Sequence, residues 1–199
     1  MTISNLDIPA TNFANAQQDM RFAYYGGAPG MLISALVWFG AGMVSMLISP
    51  SRAIWVLFIG GMFIHPASML FCRLIGRSGK HAPGNPLGTL ALASTFWLIF
   101  SLPLAYAVSL VRIEWFFPAM MLVIGGRYLT FSTIFGTRIY WACGMALALA
   151  SYALAASHAT PQIGTFCGAA IEAAFAVAIF IITSRETAAP TFMAQEKTN

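Results

Sequence analysis

Charge is the scarcest property of this sequence. Only 8% of its 199 residues are Asp, Glu, Lys or Arg, against about a quarter in a water-soluble domain, whose surface must be wetted. The shortfall excludes a conventional soluble fold and means that most of the surface faces lipid. Cysteine is nearly as sparse. Cys72, Cys143 and Cys167 stand in or beside apolar stretches, with no CxxC or other paired spacing, so neither a disulfide framework nor a metal knuckle is expected.

The usual catalytic signatures are missing too. No HExxH or GxSxG occurs, and both aspartates, Asp7 and Asp19, precede the first apolar run, which leaves no intramembrane aspartate pair. Gly79 and Lys80 suggest a phosphate loop, but Leu74 and His81 stand where that loop needs Gly and Ser or Thr. His65, His81 and His158 fall in different connections and depths, so they form no three-histidine zinc site. Nothing nominates an enzyme, a cofactor or a metal. The net charge of +4 comes from basic residues lying between apolar segments, which points to membrane orientation rather than nucleic acid.

What is present is hydrophobicity, at 59% of residues and a mean hydropathy of +0.76. Crossing the hydrocarbon core takes about 20 helical residues. Six stretches qualify, at 30–49, 53–74, 87–111, 114–136, 138–157 and 162–184. Between them lie turn-formers or charges: Ser49 to Arg52, Gly76 to Pro86, Arg112, Gly136 to Arg138, and His158 to Pro161. The expected fold is an all-α polytopic membrane protein of six transmembrane helices arranged as three antiparallel hairpins.

The domain plan is a leader over 1–27, a six-helix domain over 28–184 and a flexible tail over 185–199. In the leader Phe13, Ala16, Met20 and Tyr24 recur at helical spacing opposite Asn15, Gln18 and Asp19, the pattern of a short interfacial helix; a disordered polar leader is the alternative. The leader lacks the basic start of a cleavable signal. With the N-terminus in the cytoplasm, that side holds Arg21, Arg73, Arg77, Lys80, Arg138, Arg185 and Lys197, and the other only Arg52 and Arg112. This distribution is expected to place both termini on the cytoplasmic side.

Three ionisable residues fall within apolar stretches: His65, Arg127 and Glu172. Each lies roughly 15 to 18 Å inward from the outer end of an even-numbered helix, at 1.5 Å per residue. They therefore share a level, and a charge facing lipid is costly enough that Arg127 and Glu172 are expected to face inward and pair. Thr130 lies one turn from Arg127. Gly164, Gly168, Glu172 and Ala176 recur every four residues and form a close-packing face, for which Ala142, Ala146 and Ala150 of the preceding helix offer a matching ladder. Pro66, directly after His65, removes a backbone donor there. A faint repeat of small residues places Gly60, Gly125 and Gly168 at equivalent points of the even-numbered helices.

His65, Arg127, Thr130 and Glu172 together make a candidate mid-membrane layer for an ion, a proton or a small polar solute, as in a transporter. Alternatively Arg127 and Glu172 are a helix-to-helix ion pair in a non-transporting structural or accessory protein. Membrane lipids are the expected surroundings, and small-residue faces would equally serve a homo-oligomer. The run His65-Pro66, Arg73, Gly76-Arg77 and Asn85-Pro86-Leu87 resembles a family of small bacterial inner-membrane proteins of unknown function. That resemblance implies a class and carries over no substrate, cofactor or catalytic residue.

Overall fold

The computed structural model describes residues 10–196, with side chains over 12–185. It is all-helical: α1 Ala10–Tyr24, α2 Ala28–Leu47, α3 Pro50–Leu74, α4 Pro86–Val111, α5 Phe116–Phe135, α6 Ile139–Ala156 and α7 Pro161–Glu196. Short 3-10 turns, Tyr25–Gly27 and Ile113–Trp115, lead into α2 and α5. Among the described residues six spans are long and apolar enough to cross a membrane; the last is Pro161–Arg185. The α7 backbone continues to Glu196, through the segment read from sequence as a flexible tail.

The helix ends have local causes. The Ser49 side chain caps α3 by accepting from the Arg52 N–H at 3.3 Å, and Asn85 caps α4 by accepting from the Leu87 N–H at 3.0 Å. In both, proline follows at the first helical position, where its missing N–H costs nothing. Gly136 ends α5 at φ +64°, the left-handed conformation that stops a helix.

The most extensive packing joins α2 to α7, α2 to α3 and α5 to α6. The first of these pairs is remote in sequence. Its antiparallel register can be followed from Gln162, which donates to the Ser45 carbonyl at 3.1 Å, through Phe166 on Gly42 and Trp38 on Gly168, to Ile179 and Thr183 on Gly26. α5 and α6 approach most closely at Gly125 and Gly144, each facing the other's carbonyl oxygen. All three glycines of the faint repeat are close-approach points: Gly60 on Val37, Gly125 on Gly144 and Gly168 on Trp38. The core holds Trp38, Phe116, Phe117, Met121, Tyr140 and Leu147, all fully buried.

α1 is a separate helix, turned away from α2 by three successive residues at positive φ: Tyr25 at 50°, Gly26 at 64° and Gly27 at 86°. It packs against α5, α4 and α3. Gln17 donates to the Thr133 carbonyl at 2.7 Å and Arg21 to the Phe135 carbonyl at 2.6 Å, supplying donors to the carbonyls that a helix C-terminus leaves open. Its buried residues are Met20 and Ala23, while Phe13 is largely exposed. Asp19, which the helical spacing puts on the polar face, accepts from the Ala82 N–H at 2.9 Å and the Asn85 amide at 2.7 Å. It thereby straps the 75–85 loop to α1. Tyr24 adds a hydroxyl-to-imidazole hydrogen bond with His81 at 3.0 Å.

Candidate functional site

Glu172 stands near the middle of the α7 span and is wholly buried. The face expected of α7 is buried throughout, at Gly164, Gly168, Glu172 and Ala176. Its partners differ from the expected ladder. Gly164 meets Phe117 and Gly168 meets Trp38, whereas Ala142 is exposed and α6 buries Tyr140, Cys143, Gly144, Leu147 and Ser151 instead. Aromatic side chains from α2 and α5 fill the notches that the glycines open, so the small residues of α7 accept large neighbours rather than other small ones.

The Glu172 carboxyl accepts one hydrogen bond, from the Tyr128 hydroxyl of α5 to Oε1 at 3.0 Å. Ser34 of α2 faces the same carboxyl, but Oε2 has no hydrogen-bond partner among the described residues. Below it lies an aromatic cluster. Tyr128 packs on Tyr140 with ring centroids 5.9 Å apart, and Phe131 and Phe135 close around both. The Tyr140 hydroxyl donates to the Gly26 carbonyl at 2.6 Å. A polar and aromatic column thus runs from Glu172 to the bend between α1 and α2.

Arg127 does not form the expected ion pair. Its Nη2 donates to the Thr95 hydroxyl of α4 at 3.0 Å, and its guanidinium carbon lies 5.1 Å from the Phe131 ring centroid, a cation–π arrangement. Its Nε is buried without a hydrogen-bond partner among the described residues. Among the described residues the ion pair is Arg112 with Glu114, at 3.3 Å. The reason is helical phase: Arg127 and Tyr128 are consecutive on α5, about 100° apart around the axis, and Tyr128 takes the direction toward α7.

The other two layer residues are elsewhere. Thr130 donates to the Arg127 backbone carbonyl at 2.7 Å, a local bond within α5. His65 is exposed on α3, and its own carbonyl accepts from Ser68 Oγ at 2.8 Å. α3 buries Ala53, Ile54, Leu57, Ser68 and Cys72 against its neighbours, and the imidazole points away from that face. The shared depth is therefore not a shared site. Among the described residues no group of three His, Cys, Asp or Glu is placed to hold a metal. The sequence reasoning missed Tyr128 and Ser34; a tyrosine hydroxyl inside an apolar span was the available signal.

These features define a multi-pass α-helical membrane protein with a buried carboxyl at the centre of its bundle. The chain belongs to a family of unknown function (DUF7010), whose model matches residues 13–182. No curated protein and no solved structure matches it.

Proposed function

We propose that the protein handles a proton or a monovalent cation at Glu172, as a small transporter of the inner membrane with both ends in the cytoplasm. The observation that carries this is Glu172 Oε2: a fully buried carboxyl oxygen that accepts no hydrogen bond from any described residue, in a carboxyl that forms no ion pair with a described cation. A carboxylate carries its charge in such surroundings only at a heavy desolvation cost, and a bound proton or cation removes that cost. Tyr128 orients the carboxyl, Ser34 offers a second oxygen, and the Tyr128–Tyr140 column gives a direction toward the α1 end. The seven-to-two distribution of Lys and Arg supports the orientation.

Proteoliposomes carrying an internal pH-sensitive dye test it. Wild type should dissipate an imposed proton or sodium gradient, and Glu172→Gln should not. Equal rates in both, or no flux in wild type, would overturn the proposal.

A second reading is favoured by one specific observation. The Tyr128–Glu172 bond ties α5 to α7 while Arg127–Thr95 ties α5 to α4, so these groups serve equally as helix-to-helix fastenings in an accessory protein. In that case Glu172→Leu combined with Tyr128→Phe recovers the stability that either change alone loses, since an unpaired buried polar group costs more than none.

A further inference from the structure

The turn between α5 and α6 borders an open surface groove of about 250 Å³ lined by Gln17, Ser132, Gly136, Thr137, Arg138 and Trp141. It lies where two membrane-length helices end, at headgroup depth for a chain that spans a bilayer. Its chemistry is unbalanced. The Ser132 and Thr137 hydroxyls and the Arg138 guanidinium make no hydrogen bond or ion pair with any described residue, and no carboxylate is among the lining groups. Asp19, the acid on the neighbouring α1, is occupied by Ala82 and Asn85. The Gln17 amide is also occupied, by the Thr133 carbonyl, and its Oε1 lies against Gly136. A second guanidinium, Arg21, rests on the same turn. Trp141, 52% exposed, flanks the opening as indoles do at the membrane–water boundary.

We infer that this groove binds the phosphodiester of an anionic phospholipid. Arg138 supplies the fork of donors that matches phosphate oxygens, and the Ser132 and Thr137 hydroxyls supply two more. No described carboxylate lines the site to receive a headgroup's ammonium, so a phosphatidylglycerol-like lipid is preferred to a zwitterionic one. The site does not involve Glu172, and its failure would leave the ion-handling proposal untouched.

The full chain in detergent micelles is titrated with phosphatidylglycerol, phosphatidylethanolamine or inorganic phosphate, and binding is followed by native mass spectrometry and by Tm. Phosphatidylglycerol should be retained and raise Tm, phosphatidylethanolamine should do so less, and inorganic phosphate should have no effect. Arg138→Gln should weaken phosphatidylglycerol binding about tenfold, the scale of one lost charge-assisted hydrogen bond. Arg185→Gln, an exposed arginine at the same end of the bundle, should leave it unchanged. The Arg138 side chain is exposed and makes no hydrogen bond or ion pair with any described residue, so the fold survives its replacement. Equal losses in the two variants, an unaffected Arg138→Gln, equal binding of both lipids, or an equal shift with inorganic phosphate would each overturn the inference.

Discussion

The Tyr128 hydroxyl donates to Glu172 Oε1 at 3.0 Å, joining α5 to α7 at the centre of the bundle. This contact takes the place of the ion pair that two buried charges of opposite sign lead one to expect. A phenol can share a carboxyl's proton or solvate its charge, so the carboxyl keeps both options open in a way that a guanidinium contact would not.

Tyr128→Phe removes the hydrogen bond that Glu172 accepts. Stability in detergent should fall by about 1–3 kcal/mol, the cost of leaving a buried polar group unsatisfied. Made in a Glu172→Leu background, the same change should cost much less, because the two residues share one interaction. Thermal unfolding of the four proteins checks this, and identical losses in the two backgrounds would refute it.

Gly27 stands at φ +86°, and a Cβ there would run into the Tyr140 hydroxyl and the Phe135 ring. Gly27→Ala should therefore destabilise by about 2 kcal/mol or more, combining left-handed strain with a clash. Gly126 on α5 opens onto empty space, so Gly126→Ala should change stability by no more than about 1 kcal/mol and in the stabilising direction. Chemical unfolding in mixed micelles compares the pair.

Asp19 holds the 75–85 loop through the Ala82 N–H and the Asn85 amide. Asp19→Ala should release that loop locally while the bundle stays folded, at a cost of about 1–3 kcal/mol. Hydrogen exchange should quicken at residues 79–85 and not in α5 or α6. Uniform quickening would mean that Asp19 supports the whole fold.

His65 is exposed and has no side-chain hydrogen bond among the described residues. His65→Ala should shift stability by less than about 0.5 kcal/mol and leave ion flux as in wild type. Loss of flux would return His65 to the working site.

Much of the fold was legible because the membrane simplifies the code. Length and apolarity decide which segments span, and capping chemistry at Ser49-Pro50, Asn85-Pro86 and Gly136 decides where helices begin and end. The buried face of α7 could also be read, since its small residues recur every four positions. Its partners could not, because a glycine notch accepts Trp38 or Phe117 as readily as an alanine ladder.

The candidate site was legible only in part. Depth along a helix follows from counting residues, which is why His65, Arg127 and Glu172 were placed at one level. Direction around a helix does not, because lipid-facing and protein-facing surfaces of a membrane helix are both apolar and leave little periodicity to read. The sequence by itself determined the solvent, the spans and the presence of a costly carboxyl in α7. Only the tertiary structure decided that Tyr128, one residue beyond Arg127, is the group that meets it, because a step of about 100° around α5 turns one side chain toward α7 and its neighbour toward α4.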